Sequence, residues 1–215
     1  MQILLCAATE PEIKLTVDWI RENKINDIEV LITGVGMLQA THAITKAVIH
    51  FKPQLVLQAG IGGSLSTHFS IGDVVAIKNE CIGDVGVEEH KKFRSAFDLA
   101  LINENHFPWS KGRLVNTNQL LSGVGLPIAN GVTVNQITTH AARIDYYNKS
   151  LGSDVESMEG AALHYVCLME KISFLQIRAI SNFAGERDKA NWKIESSISK
   201  LNQVIQSILS NQLLV

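Results

Sequence analysis

Three short apolar runs near the start of the chain constrain its fold more than any other feature: residues 3–8, residues 28–32 after Asp27, and residues 55–57 after Pro53. Such runs suit strands covered on both faces, as in parallel sheets. Between them lie stretches of helical character, residues 12–21 and 37–51. In the second, Ala40, Ala43, Ile44, Ala47 and Val48 fall on one face. The opening therefore reads β-α-β-α-β, and a right-handed parallel sheet with helices on its faces is expected. A length of 215 residues favours one domain, expected to span 1–215.

The middle third differs. Residues 73–86 and 127–137 are rich in Gly, Val and Thr and are expected to form longer strands that bend. Residues 158–170 have helical character and residues 173–181 read as a strand. The chain then ends in a helix whose Ile194, Ile198, Leu201, Ile205 and Ile208 recur at three- and four-residue steps, forming one stripe that faces a core.

Composition closes off several classes of function. With 46% hydrophobic and 19% charged residues, the chain is not disordered by composition. Its 19 Lys and Arg against 21 Asp and Glu leave a net charge of −2, so no basic excess exists to neutralise a nucleic acid. The run at residues 3–8 lacks a positive lead and passes straight into Glu10, Pro11 and Glu12, and no run has the length of a membrane span. Neither a signal peptide nor a membrane anchor is expected. Cys6, Cys81 and Cys167 are odd in number and set in apolar surroundings, which points to a reducing, cytoplasmic setting. The seven histidines form no H-E-x-x-H and join no paired cysteines, so no metal site is expected.

Four stretches carry residues suited to chemistry. Ala59-Gly60-Ile61-Gly62-Gly63-Ser64 follows a buried strand, where glycines let backbone amides approach a ligand or simply form a tight turn. Its spacing matches neither a dinucleotide fingerprint nor a P-loop. Glu156-Ser157-Met158-Glu159-Gly160 puts a carboxylate at a strand-to-helix junction. Ligands of α/β sheets bind beyond the carboxyl ends of strands, and a carboxylate there can accept from both hydroxyls of a ribose. The alternative is a helix start with Ser157 as its cap. The stretch from Arg178 to Gly185 ends a strand in polar residues, of which Asn182 can read a heterocycle edge or form a turn. Glu10-Pro11-Glu12 follows the first strand, where acidic residues also stabilise a helix start. No G-x-S-x-G elbow is present, so serine hydrolysis has no support.

Taken in order, the first-strand A-T-E-P-E ending at Glu12, A-G-I-G-G at 59–63, M-E-G-A-A at 158–162 and R-A-I-S-N at 178–182 resemble the nucleoside phosphorylase and nucleosidase superfamily over nearly the whole chain. Ala184-Gly185-Glu186-Arg187-Asp188, with Trp192 after it, resembles the futalosine hydrolase branch more than the methylthioadenosine/adenosylhomocysteine nucleosidases. The resemblance implies a single-domain, three-layer α/β/α fold with a central mixed, twisted and partly barrel-like sheet. It implies hydrolysis of a purine N-glycosidic bond through a ribosyl oxocarbenium-like transition state, with no metal or organic cofactor, within menaquinone biosynthesis. By the same resemblance, Glu12 activates water, Glu159 holds the ribose hydroxyls and Met158 packs on the sugar. The backbone of Gly60, Ile61 and Gly62 lines the site with Ser181, and Asn182 faces the purine's five-membered ring. A homo-oligomer is expected, with a neighbouring subunit closing the 5′ side, and Arg143, Arg113 and Lys111 are candidate cations for a charged 5′ tail.

Two departures sharpen this expectation. Bacterial-type phosphorylases carry R-x-G-S at the third-strand loop to grip phosphate, whereas Gln58-Ala59-Gly60-Ile61 offers no cation, so water is the expected nucleophile. Adenosine-type nucleosidases end the late strand in R-A-I-S-D, and this chain has Asn182. A 6-oxopurine presents acceptors at N7 and O6, and the two hydrogens of an amide suit that edge. The expected substrate is the inosine-like futalosine. Its 6-amino analogue, methylthioadenosine, or non-catalytic nucleoside binding are the alternatives.

Overall fold

In the computed structural model, which describes residues 1–90 and 92–210, the N-terminal half of the sheet forms around β1 (Ile3–Ala7), buried at all five positions. β1 pairs in parallel with β2 (Ile28–Ile32) on one edge and with β3 (Leu55–Ser64) on the other. The sequence pattern predicts β2 to be covered on both faces. It lies instead at the sheet edge with partly exposed side chains, because no further strand joins its outer side.

α1 (Glu10–Glu22) and α6 (Ile194–Ser210) cover one face, packing Ile13, Leu201 and Ile205 with Leu5, Leu57 and Leu175. α2 (Met37–Phe51) and α5 (Gly160–Met169) cover the other, packing Ile44, Val48 and Leu163 with Leu4, Cys6 and Val56. Alternate β1 side chains thus enter opposite cores, as strand geometry requires. The three-layer α/β/α expectation holds.

The rest of the sheet closes on itself. After β4 (Val74–Ile82) come a hairpin of β5 (Gly86–Glu89) and β6 (Lys92–Ser95), then β7 (Trp109–Ser110) and β8 (Arg113–Val115). α3 (Leu120–Gly123), β9 (Ile128–Thr133), α4 (Ala141–Asp145), β10 (Val155–Ser157) and β11 (Ser173–Phe183) follow. β3 pairs β10, β10 pairs β9, β9 pairs β4, β4 pairs β11, and β11 returns to β3. The pairings are both parallel and antiparallel, so the sheet is mixed and barrel-like, and β4 bends at a register shift between Ile77 and Asn79.

β3 joins the two halves, and its pairing positions the site. Its first residues, 55–58, pair with β1, while Gly63 and Ser64 on the same edge pair with β10. Between them the sheet forks, leaving residues 59–62 without a strand partner on that edge, while β11 runs along the other edge. The glycine stretch is therefore not a turn but the continuation of a ten-residue strand. All three cysteines are buried and unpaired. Among the described residues, no helix is long and apolar enough to cross a membrane.

Candidate active site

At the fork lies a cavity of about 350 Å³, bounded by the residues after β1, the second half of β3, the junction between β10 and α5, the end of β11 and the start of α6. A volume of this order suits a small organic ligand.

Glu12 sits in the first turn of α1 and is buried. Its Oε2 accepts from the backbone N–H and the hydroxyl of Thr9, both at 2.9 Å, which is the helix-start role expected of an acidic residue there. Its Oε1 accepts from the Ile61 N–H at 3.1 Å. That donor lies in the part of β3 that the fork leaves unpaired on one edge, so the carboxylate supplies the missing acceptor. Asn202 holds α1 in place: its Nδ2 donates to the Glu12 carbonyl at 2.9 Å and its Oδ1 accepts from Thr16 N–H and Oγ. No pattern in the sequence marks Asn202, which reads as one polar residue beside an apolar stripe.

Glu159 occupies the N-cap position of α5 yet caps nothing there. Ser157, the alternative cap, ends β10. The Glu159 Oε1 instead accepts from Gly36 N–H at 3.0 Å, and its Oε2 lies 3.6 Å from Arg178 Nη1. Arg178 is 2% exposed, donates from Nη2 to Gln58 Oε1 at 2.9 Å, and has its Nη1 3.4 Å from the Ile61 carbonyl. It belongs to the R-A-I-S-N motif but has no role in the sequence reading; the one available signal is a cation embedded in an apolar strand.

Ile61, Gly62, Met158, Glu159, Ser181 and Asn182 all line the cavity with Glu12. Gly60 does not. It lies behind the charged groups, where a side-chain carbon would overlap Arg178 Nη1 and come within 3.0 Å of Glu12 Oε1. Ser181 is bulged where the pairing of β11 with β3 shifts register. Its Oγ lies 2.7 Å from Asn182 Oδ1 and 3.3 Å from the Gly62 carbonyl. Asn182 Nδ2 donates to the Phe183 carbonyl at 2.9 Å, so one amide hydrogen is already engaged.

Several lining residues have no role in the sequence reading. Glu156 is buried, and that burial pushes its carboxyl up to about 7, against the pull of Arg187 and with the repulsion of Asp84 added. Trp192, Ile194 and Ile198 form an apolar wall with Pro11 and Val35, so the first two residues of the α6 stripe serve the cavity while the later ones serve the core. None of the three candidate tail cations lines the cavity. Arg143 pairs with Glu88 at 2.8 Å and stacks on Phe93, Arg113 binds the Leu151 carbonyl, and Lys111 is exposed. The cation on the wall is Arg187, its guanidinium carbon 5.4 Å from the centre of the Trp192 ring.

A family model described as the phosphorylase superfamily matches residues 20–210. The chain belongs to the phosphorylase superfamily. It is 29% identical over 183 residues to the futalosine hydrolase of Thermus thermophilus, covering 84% of this chain and 80% of that protein. It is 22% identical over 200 residues to a 5′-methylthioadenosine/S-adenosylhomocysteine nucleosidase of Staphylococcus aureus, covering 86% and 83%. The fold matches the native structure of the futalosine hydrolase of Helicobacter pylori with a TM-score of 0.82 and 18% identity, covering 98% of each chain.

Proposed function

We propose that the protein hydrolyses the N-glycosidic bond of futalosine, releasing hypoxanthine and dehypoxanthine futalosine. The observation that carries this reading is the pair of buried carboxylates, Glu12 and Glu159, that line one cavity, with Arg178 Nη1 3.6 Å from Glu159 and, like Glu12 Oε1, close against Gly60. Futalosine hydrolases among the relatives support the choice of substrate.

In this reading the purine departs with the electron pair of the C1′–N9 bond as positive charge grows on the ribosyl ring. Asn182 offers its remaining N–H to N7 and takes up part of the charge accumulating on the base. Water held by Glu12 gives one proton to that carboxylate and adds its hydroxyl to C1′, while the departing purine anion takes up a proton from solvent and Glu12 later returns its own to solvent, so hypoxanthine leaves neutral and the carboxylate is restored. Glu159 keeps lone pairs free for the ribose hydroxyls, since Gly36 engages only one of its oxygens at hydrogen-bond distance. Arg178 offsets the two negative charges that the site concentrates. No step calls for a cofactor, and release of this purine would serve menaquinone biosynthesis.

The 5′ side is proposed to be completed by a neighbouring copy of the chain. Val35 lines the cavity while being 50% exposed, and Leu38, in the first turn of α2, is 85% exposed. These two exposed apolar residues are the kind of surface that a second copy would cover.

Incubation with futalosine, its 6-amino analogue and methylthioadenosine in phosphate-free buffer tests the reading. Hypoxanthine release from futalosine without phosphate is expected. Adenine release from the amino compounds with futalosine untouched would transfer the assignment to the adenosine type, and binding without turnover would leave a non-catalytic module.

A further inference from the structure

Beneath the start of α5, outside the cavity wall, lies a second polar cluster that the proposed reaction does not use: Glu80 on β4, Thr133 on β9 and Gln176 on β11, each at most 1% exposed. Two glycines let Glu80 reach the helix end. A side-chain carbon at Gly160 would overlap both Glu80 Oε2 and Gln176 Nε2, and one at Gly131 would overlap the same carboxyl oxygen. The glycine of the M-E-G-A-A motif therefore has a packing reason: α5 begins flush on this cluster, with Glu159 one residue before the contact.

The helix start divides its labour between two residues. The first N–H groups of a helix need acceptors from outside it, and the side chain at the N-cap commonly accepts from the second or third of them. Glu159 holds the N-cap position, which makes Ala161 the second helical residue. The Ala161 N–H donates instead to Thr133 Oγ on β9, at 2.7 Å. Thr133 in turn donates its hydroxyl hydrogen to Glu80 Oε1 at 3.1 Å. A hydroxyl has one hydrogen, so giving it to a buried carboxyl leaves the oxygen's lone pairs for Ala161, and the two bonds reinforce each other. Burial pushes the Glu80 carboxyl up to about 7, against the pull of Arg178, and a carboxyl in either state keeps an oxygen that accepts this hydrogen. The Glu159 carboxylate is left to accept from Gly36 and to lie 3.6 Å from Arg178.

We infer that Thr133 is a positioning residue: by capping α5 from β9 in place of Glu159, it keeps the Glu159 carboxylate turned to Gly36 and the cavity, where it holds the ribose. This deepens the proposed function and rests on its ribose site. Without the Thr133 hydroxyl, the Ala161 N–H is buried with no acceptor, which is costly, and the carboxylate at the N-cap is the group placed to supply one. Glu159 then leaves Gly36 and the ribose together.

A kinetic and a structural readout test the inference. In Thr133→Val, which keeps the shape and removes the hydroxyl, the kcat/KM preference for futalosine over its 2′-deoxy analogue should fall at least about tenfold, whereas Thr133→Ser should retain it. A fold that is merely loosened loses activity on both substrates alike and leaves that ratio unmoved. In a crystal structure of Thr133→Val, a Glu159 carboxylate oxygen should sit within hydrogen-bond distance of the Ala161 N–H and away from Gly36. Thr133→Ala removes the hydroxyl without setting a methyl against the amide, and it carries both readouts should the Val variant not fold. A Glu159 carboxylate that stays on Gly36, an unmoved ratio, or a Thr133→Ser protein as impaired as Thr133→Val would each overturn the inference while leaving futalosine hydrolysis by the wild type intact. If the wild type instead spares futalosine or accepts the deoxy analogue equally, the substrate or ribose reading falls, and the crystal structure still decides which residue caps α5.

Discussion

Replacing Glu159 with Gln keeps the shape of the side chain and removes one negative charge from a buried site. The amide oxygen can still accept from Gly36 N–H, the bond now at 3.0 Å. The amide nitrogen then takes the place of Oε2, which lies 3.6 Å from Arg178 Nη1, so a donor faces a donor. Arg178, 2% exposed, thereby loses its one ion-pair partner among the described residues and keeps its polar contacts with Gln58 and Ile61. Breaking one side of a buried pair costs about 3–5 kcal/mol, and the retained contacts place this case near 3. The effect on catalysis is separate: each bond from a ribose hydroxyl to a charged acceptor contributes about 1.5–3 kcal/mol, so kcat/KM should fall by roughly tenfold to over a hundredfold. Hypoxanthine release from futalosine and from its 2′-deoxy analogue separates the two effects. The wild type should reject the deoxy analogue strongly, and the variant, having lost the charged acceptor, should reject it much less. A folded Glu159→Gln protein with wild-type activity, or one that still rejects the deoxy analogue as strongly, would refute the ribose-holding role.

Three further outcomes are expected. Gly60→Ala should cost about 1–3 kcal/mol and lower kcat/KM at least about tenfold, because the added carbon overlaps Arg178 Nη1 and crowds Glu12 Oε1. Gly123→Ala, where the added carbon meets nothing within 4 Å, should leave activity unchanged, and equal effects of the two would dismiss the crowding argument. Asn182→Asp should move preference toward 6-aminopurine nucleosides, because a protonated carboxyl donates to N7 while its other oxygen accepts from a 6-amino group; an unmoved kcat/KM ratio for the two futalosine analogues would remove Asn182 from base reading. Glu156 also has a stability signature: its carboxyl rises from the ordinary 4.5 to about 7 in the folded protein, so it is protonated in both states below 4.5 and ionised inside the fold above 7. Stability relative to Glu156→Gln is therefore fullest below pH 4.5 and declines by about 3 kcal/mol as pH rises through 7, which denaturant unfolding at pH 4.5 and pH 8 should detect as a widening gap.

Local signals account for what was legible in the chain. The apolar runs at β1 and β3, the stripe on α2 and that on α6 each follow from one segment's own periodicity, and they suffice for three layers. Glu12 and Glu159 were legible because short motifs surround them, and both reach the cavity. The motifs could not say which side of each strand or helix junction meets the ligand. The expected glycine loop is a strand interior, with Gly60 turned to Arg178 instead of the cavity. Arg113 and Arg143, plausible as cations in a list of charges, are engaged elsewhere.

The sequence by itself determined the opening β-α-β-α-β order and the closing helix, the lack of a basic excess in net charge, and the residue types at Glu12, Gln58, Glu159 and Asn182 on which the proposed hydrolysis and purine choice rest. Only the tertiary structure decided that β3 leaves β1 for β10 at Gly63, that the resulting fork turns Ile61 N–H toward Glu12, and that Arg178 packs beside Glu159. It alone set Glu156 across Gly63 from Asn182. The reason is physical: periodicity is a property of a few consecutive residues, whereas a pairing register between segments some 90 to 120 residues apart depends on every strand that closes the barrel.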